Sequence, residues 1–226
     1  MKIAILGNGK MGKEISTLAQ ERGHIIACTS SSKHPTNSLN LKNIDLAIEF
    51  STPDTAFSNI SYALKNNIPV VSGTTGWENN LNEIKMLCKA YKGSFLYSSN
   101  FSIGMNIFFE INRNIAQLIQ KQEYKIYIKE IHHTTKKDKP SGTAKELAAD
   151  IQSILKYSPT IHTKRIKDVV GDHIIDFDSL FENIQIKHTA KNRKTFAIGA
   201  LLAGEWLIGK TGIFSMKDVL DIKDKL

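Results

Sequence analysis

The residues with the greatest capacity for chemistry lie in one short stretch, Glu130–Ala144, which reads EIHHTTKKDKPSGTA. Imidazoles can give or take a proton near neutral pH, and lysines can stabilise developing negative charge. An alternating apolar pattern precedes the stretch (Tyr124, Ile126, Ile128), and a helical one follows it (Leu147, Ala148, Ile151, Ile154, Leu155). The stretch is therefore predicted to be a loop between a strand and a helix, where active sites are commonly built.

The end of this loop is predicted to open the following helix. Ser141 is a candidate N-cap, and Gly142 lets a ligand approach the backbone closely. The N–H groups of Gly142, Thr143 and Ala144, together with the helix dipole, favour an anion there. A carboxylate at this helix end would be surrounded by the two histidines and by Lys136, Lys137 and Lys139. On these residues alone, a solvated basic loop before an ordinary capped helix is the alternative.

The stretch closely resembles the signature of the 4-hydroxy-tetrahydrodipicolinate reductase (dihydrodipicolinate reductase) family of lysine and diaminopimelate biosynthesis. That signature is roughly Glu-x-His-His-x-x-Lys-x-Asp-x-Pro-Ser-Gly-Thr-Ala, and every fixed position is met. The resemblance implies NAD(P)H-dependent reduction of 4-hydroxy-tetrahydrodipicolinate to tetrahydrodipicolinate. It implies His132 as the catalytic proton donor and Lys136 as the catalytic cation. The substrate-binding residues that it implies are His133, Ser141, Gly142 and Thr143.

No metal site is predicted in this loop. Adjacent histidines do not present one helical face, no cysteine is near, and Asp138 is the only close carboxylate besides Glu130.

A second motif opens the chain. The apolar strand Lys2–Leu6 runs into a G-x-G-x-x-G match, and a helical apolar pattern follows, in the order that a dinucleotide-binding turn requires. Gly7 is predicted to make the tight turn, Gly9 to let the pyrophosphate approach, and Gly12 to let helix and strand pack closely. The predicted cofactor-binding residues of this turn are Gly7, Asn8, Gly9, Lys10, Met11 and Gly12.

The end of the second predicted strand, Ile25–Thr29, bears on the choice of cofactor. An acidic residue that would hold a ribose 2′-hydroxyl is missing, and Ser30–Lys33 stands in its place, unlike in family members that carry a glutamate there. A 2′-phosphate prefers hydrogen-bond donors and positive charge. We therefore predict NADPH and/or NADH as the cofactor, unless this loop contacts nothing.

Two further segments follow predicted strands of the same sheet and should reach the cofactor crevice. One follows Pro69–Ser72 and the other follows Ser94–Tyr97. Composition alone leaves an ordinary turn as an equal reading of the first. The resemblance implies cofactor binding by Gly73, Thr74, Thr75, Ser98, Ser99, Asn100 and Phe101.

The predicted fold class is α/β, with an N-terminal Rossmann-type dinucleotide-binding domain plus an α+β substrate and oligomerisation domain with an open mixed sheet. Strands of that sheet are predicted near Ile161, at Val169–Val170, at His173–Phe177 and at Ile184–His188, and a helical stripe of Phe108, Ile111, Ile115 and Ile119 is predicted to be core. By resemblance, the tail returns to the first domain. We expect a discontinuous dinucleotide-binding domain of residues 1–100 and 194–226 and a substrate-binding and oligomerisation domain of residues 101–193. Open sheet edges and the resemblance predict a homotetramer.

Composition limits the remaining classes. The chain has 226 residues, is 41% apolar and carries a formal charge of +8. No apolar run reaches the roughly 18 residues of a membrane span, and no signal-peptide layout is present. Cys28 and Cys88 are isolated, as expected of free thiols in a reducing compartment, so a cytoplasmic location is predicted. A small-molecule dicarboxylate is the expected partner, with no nucleic acid and no membrane, because no nucleic-acid motif accompanies the positive charge.

Two rival functions stay open. One is another two-domain NAD(P)-dependent dehydrogenase acting on an amino-acid-like dicarboxylate, which would need a different central motif. The other is a non-enzymatic redox sensor that binds nucleic acid through its basic surface.

Overall fold

A computed structural model describes residues 1–222 and divides the chain into two compact units. The first unit comprises Met1–Ser102 and the chain from Phe196 onward, and the second comprises Ile103–Thr195.

The first unit is built around a six-stranded sheet in which every pairing is parallel. Its strands are β1 (Lys2–Leu6), β2 (Ile25–Ser30), β3 (Leu46–Glu49), β4 (Val70–Ser72), β5 (Ser94–Tyr97) and β10 (Gly212–Phe214). Its helices are α1 (Lys10–Glu21), α2 (Pro53–Lys65), α3 (Leu81–Ala90), most of α6 (Lys194–Leu207) and α7 (Met216–Val219). The strand order is β2-β1-β3-β4-β5-β10, so the chain reverses direction across the sheet between β1 and β3. In sheets of this type, ligands bind at such a switch point.

Burial on both faces explains why these strands are almost continuously apolar. Ile3 and Ile5 of β1 pack with helices α1 and α6 on one face, and Ala4 and Leu6 pack with α2 and α3 on the other. The loops at the carboxyl ends of β1 and β3 are therefore carried by a rigid layer.

The second unit contains an open four-stranded sheet in the order β7-β6-β8-β9. Its strands are β6 (Lys125–His132), β7 (Thr160–Arg165), β8 (Gly171–Asp178) and β9 (Asn183–Ala190). β6 and β7 are parallel and the other pairings are antiparallel, so the sheet is mixed. Helices α4 (Ile103–Leu118) and α5 (Gly142–Leu155) contribute to the hydrophobic core of this unit with residues such as Phe109 and Leu147. The predicted fold class is confirmed.

Two details of the prediction are wrong. Val169 and Val170 do not form a strand, because the chain turns after β7, with Asp168 in the left-handed region, and β8 begins only at Gly171. Ile111 is 41% exposed and does not belong to the core stripe of α4. Phe108 is buried as predicted, and the buried side of the helix also includes Asn112, whose side-chain amide donates to the Leu147 carbonyl. No helix within residues 1–222 is both long and apolar enough to cross a membrane.

Candidate active site

The glycine turn after β1 has the close packing that the motif predicted. Gly7 has φ +117°, and a Cβ there would stand 2.2 Å from the Phe50 carbonyl oxygen. A Cβ on Gly12 would stand 1.9 Å from the Gly7 oxygen, so helix and turn touch through backbone. Gly9 is the N-cap of α1, and nothing lies within 4 Å of its Cβ position. The turn therefore leaves an open helix N-terminus, flanked by the exposed Asn8 and Lys10 and the half-buried Met11, which suits a pyrophosphate.

A cavity of about 620 Å³ opens beside this turn. It is lined by the turn itself, by Ser30–Ser32 after β2 and by residues 50–52 after β3. No carboxylate belongs to its lining among residues 1–222, and Lys33 lies exposed next to it. The cavity wall therefore carries serine hydroxyls, as predicted, in place of an acidic residue that would hold the ribose 2′-hydroxyl of a dinucleotide.

A buried carboxylate that the sequence reasoning missed organises the loops at the ends of β3 and β4. Glu49 is fully buried and accepts hydrogen bonds from the hydroxyls of Ser51 (2.5 Å), Ser72 (2.7 Å) and Thr74 (2.8 Å). The Ser51 amide donates to the Thr74 hydroxyl at 2.8 Å. The Thr74 hydroxyl thus donates to Glu49 and accepts from the Ser51 amide, and these bonds join the two loops. A charged residue that ends an apolar strand was the signal that could have revealed Glu49.

The other predicted cofactor residues divide into packed and accessible ones. A Cβ on Gly73 would stand 2.2 Å from the Phe50 ring, and Phe101 is only 2% exposed beside that ring, so both residues pack against Phe50. Thr75 is exposed after β4. Beyond β5, the Ser98 hydroxyl donates to the Asn100 carbonyl at 2.8 Å and forms a turn in which Ser99 is exposed.

The second unit carries the stretch Glu130–Ala144 as predicted, with β6 ending at His132 and α5 beginning at Gly142. Glu130 and His132 are two residues apart on β6, so both point to the face that packs inward. Glu130 is 0% exposed and His132 is 7% exposed. Two chemically active groups are therefore held in the sheet itself, while the remaining residues of the motif lie in the loop and on the helix.

Glu130 is the centre of a buried polar network. Its Oε1 accepts N–H groups from both Arg165 Nη atoms at 3.3 Å and from the Ser141 amide at 3.1 Å. Its Oε2 lies 3.1 Å from Nδ1 of His132.

Arg165, at the end of β7, was also missed. Besides Glu130, its guanidinium contacts the carbonyl oxygens of Lys136 (3.4 Å) and Asp138 (2.5 Å). Because β7 pairs with β6 so that Arg165 lies beside His132, this one side chain ties the loop to the sheet. Only the strand register reveals that role.

The carboxylate of Asp138, a residue of the loop itself, occupies the predicted anion site at the N-terminus of α5. Lys136 Nζ lies 2.8 Å from Oδ1 of Asp138, and the Gly142 amide donates to Oδ2 at 3.3 Å. Burial acts to raise the pKa of Asp138, but these contacts outweigh it and hold the pKa below its usual value. Ser141 is 1% exposed and its hydroxyl accepts from the Ala144 amide, so it caps the helix. The half-buried Thr143 follows on the first turn.

His133 points away from this network. Its Nδ1 lies 2.7 Å from the Thr135 hydroxyl, and its Nε2 lies 3.4 Å from Nη2 of Arg193. With Arg193 donating, the consistent tautomer has the proton on Nδ1. The two adjacent histidines thus have different surroundings: His132 points inward beside Glu130, and His133 lies beside the guanidinium of Arg193.

Burial is the main influence on the pKa values of His132 and His173. It lowers the pKa of His132, with Lys136 and Arg165 acting in the same direction and Glu130 opposing them. His173 of β8 packs edge-on against His132, with ring centroids 5.1 Å apart. Burial, aided by His132, His188 and Lys136, lowers the pKa of His173 to about 3. Both rings are therefore neutral at pH 7 without ligand, and a bound anion would raise the pKa of His132.

Residues distant along the chain meet at the end of β6 and bear on the prediction of no metal site. The sheet adds His173, so that Glu130, His132 and His173 offer ligand-capable atoms within 4.8 Å of one another. Arg165 and Lys136 place positive charge beside this group, which opposes a cation.

The parallel sheet with its glycine turn in one unit, together with the histidines and the helix N-terminus of the motif in the other, is the arrangement of a nicotinamide-dependent oxidoreductase. Comparison with family models identifies the family. Residues 1–101 match the model described as Dihydrodipicolinate reductase, N-terminus, and residues 104–220 match Dihydrodipicolinate reductase, C-terminus. The chain belongs to the dihydrodipicolinate reductase family, and the resemblance seen in the loop is confirmed.

Individual relatives agree. The chain is 43% identical to a 4-hydroxy-tetrahydrodipicolinate reductase of Christiangramia forsetii, over 97% of this chain and 98% of the relative. It is 34% identical to one of Wigglesworthia glossinidia brevipalpis, over 100% of this chain and 95% of that one. The solved structure of a dipicolinate-bound dihydrodipicolinate reductase from Paenisporosarcina sp. TG-14 has the same fold, with a TM-score of 0.77 at 21% identity, over 96% of this chain and 98% of that one.

Acid should destabilise the second unit through His173. Its pKa falls from 6.5 to about 3 on folding, so the unfolded chain binds the extra proton between these values. His173 should therefore not affect the free energy of unfolding above pH 6.5. Below that pH the free energy of unfolding should fall by up to about 1.4 kcal/mol per pH unit as the pH drops toward 3. His173→Phe should reduce this dependence in urea unfolding curves between pH 7 and 5 and leave the part that the buried His132 contributes. His162→Phe, at an exposed site, should keep it. Equal acid dependence in wild type and His173→Phe would contradict the assignment.

Proposed function

We propose that this chain catalyses NAD(P)H-dependent reduction of 4-hydroxy-tetrahydrodipicolinate to tetrahydrodipicolinate, a step of lysine and diaminopimelate biosynthesis. The stretch Glu130–Ala144 carries the proposal. It combines the imidazole of His132, the ammonium of Lys136 and the N-terminus of α5, in a chain that belongs to a reductase family. The relatives named above carry this activity in their names. The first unit serves as the dinucleotide-binding domain and the second as the substrate domain.

The residues of the second unit have distinct tasks in this reaction. NADH or NADPH held at the glycine turn Gly7–Gly12 would supply a hydride to C4 of the dehydrated cyclic substrate. The electron pair of the attacked double bond moves to the neighbouring carbon, which becomes enamine-like and takes a proton. His132 donates that proton, and Lys136 stabilises the negative charge that develops before it arrives.

The contacts of Asp138 support a proposed position for a substrate carboxylate. Its carboxylate occupies the position between Lys136 and the Gly142 amide. We propose that a substrate carboxylate replaces it there, with Thr143 on the same helix end and with His133 and Arg193 as further contacts. A dianionic substrate also raises the pKa of His132 toward neutrality, so the acid becomes charged when it is needed.

The direct test is a coupled assay that follows oxidation of NADH and NADPH with freshly made substrate. Because Ser30–Lys33 replaces the acidic clamp, NADPH should be disfavoured by no more than about tenfold, or 1.4 kcal/mol. A hundredfold preference for NADH would contradict dual use. Failure to oxidise either nucleotide, with turnover of an amino-acid-like dicarboxylate instead, would favour the rival dehydrogenase.

Substitutions in the loop should separate catalysis from binding. His132→Gln and Lys136→Ala should each lower kcat about a hundredfold or more, because both groups act on charge that develops only during reduction. Lys121→Ala, at an exposed position of the same unit outside the motif, is the control and should keep kcat. His133→Ala should act mainly on KM, since it contacts the carboxylate in ground and transition states alike. A His132→Gln variant with wild-type kcat and lost NADPH binding would make the loop a cofactor element.

We further propose a homotetramer in the cytoplasm. β7 and β9 are the open edges of the mixed sheet, and Leu180 and Phe181 at the β8–β9 turn are 87% and 92% exposed. Such edges and apolar tips favour burial against another copy. Light scattering should return four times the chain mass of 25.3 kDa. A monomer at micromolar concentration would refute this assembly. Both cysteines are free thiols, which supports a reducing compartment.

A further inference from the structure

His132 presents one ring nitrogen to the protein interior. Its Nδ1 lies 3.1 Å from Oε2 of Glu130. Both atoms are buried, and neither has a well-aligned hydrogen bond within residues 1–222. The carboxylate is therefore at hydrogen-bond distance but out of line with the ring. Catalytic contacts often show such geometry before a ligand binds and tighten in the complex.

The orientation of Glu130 is fixed from its other side. Oε1 accepts the guanidinium N–H groups of Arg165 and the amide of Ser141. Since these bonds use Oε1, Oε2 is the oxygen that faces the imidazole. Arg165 supplies the positive charge that a fully buried carboxylate requires.

The opposite edge of the imidazole lies against the start of β8. A Cβ on Gly171 would stand 3.1 Å from Nε2 and 3.2 Å from Cδ2 of His132, so the glycine leaves room at that edge. The edge-on ring of His173 limits rotation of the imidazole. Nδ1 thus faces a fixed carboxylate, and Nε2 is the nitrogen with space for a reacting group.

We propose that Glu130 is a positioning residue for His132, which holds a proton on Nδ1 and makes Nε2 the atom that donates the proton to the substrate. This inference rests on the proposed function, in which His132 is the acid. A carboxylate at Nδ1–H holds an imidazole in one tautomer and one orientation and stabilises the imidazolium. When Nε2 has given up its proton, the neutral ring keeps the proton on Nδ1, and water returns one to Nε2 for the next turnover.

A divalent metal ion is the rival occupant of these groups, since Glu130, His132 and His173 could supply three ligands. A metal that took His132 through Nδ1 would need the lone pair of that atom and would exclude the proton that the proposal places on it. The positive charges of Arg165 and Lys136 argue against the metal.

The first test is Glu130→Gln, which keeps the size of the side chain but lets an amide N–H face Nδ1 and so favours the wrong tautomer. We expect kcat to fall by about 10²–10⁴-fold, with NADPH binding unchanged. Because Glu130 raises the pKa of His132, the loss of kcat/KM with rising pH should begin at lower pH in the variant. The other titratable groups facing His132 are unchanged in this variant: Lys136, Asp138, Arg165 and His173. Glu182→Gln, in the β8–β9 turn, is the matched control and should behave as wild type.

The second test leaves every charge in place. Gly171→Ala should push on the Nε2 edge and lower kcat about tenfold or more, because small misplacement of a reacting group can cost up to about 10²-fold. If Glu130→Gln does not fold, Gly171→Ala decides, and wild-type kcat in that variant would overturn the proposal.

These experiments distinguish failure of the proposed function from failure of the positioning role of Glu130. A wild-type protein that reduces nothing with either nucleotide removes the proposed function and this inference with it. An active wild type with unchanged kcat and pH dependence in Glu130→Gln removes the positioning role alone. Titration with Co²⁺ tests the metal: a visible absorption band that saturates at one ion per chain and is lost in His173→Phe would overturn the proposal, and the absence of such a band supports it.

Discussion

The second unit depends on one buried charge, the carboxylate of Glu130. A carboxylate without solvent contact is stable only when its neighbours replace water with charge and hydrogen bonds. Arg165 and the Ser141 amide do so here, at 3.3 and 3.1 Å. Because Arg165 also binds the carbonyl oxygens of Lys136 and Asp138, satisfying the buried charge fixes the shape of the whole loop. The same network joins the end of β6, the end of β7 and the N-terminus of α5.

The first unit uses the same physical device. Glu49, fully buried at the end of β3, gathers the hydroxyls of Ser51, Ser72 and Thr74. In both units a buried glutamate near the carboxyl end of a strand ties loop residues to the sheet through hydrogen bonds. Backbone amides and hydroxyls are thus placed before any ligand arrives, which lowers the entropy cost of binding.

The sequence predicted what depends on local pattern. Three features follow from neighbours along the chain and are present in the structure: the glycine turn, the strand–loop–helix setting of Glu130–Ala144 and the cap at Ser141. Arg165 and His173 could not be assigned, because their roles arise from the register of β7 and β8 against β6. Ile111 was misassigned because helical spacing alone does not say which side of a broad apolar stripe is covered. Val169 and Val170 have high strand propensity, but the left-handed turn at Asp168 overrides it.

In the proposed arrangement the buried Glu130 sets the protonation of His132, and ¹⁵N NMR of the histidine-labelled protein measures this directly. At pH 7 without ligand, burial keeps His132 neutral, so its two ring nitrogens should give distinct signals. The account predicts the proton on Nδ1, facing Glu130, and a bare Nε2, with the preference lost in Glu130→Gln. A proton on Nε2 in the wild-type protein, with Nδ1 bare beside the carboxylate, would contradict it.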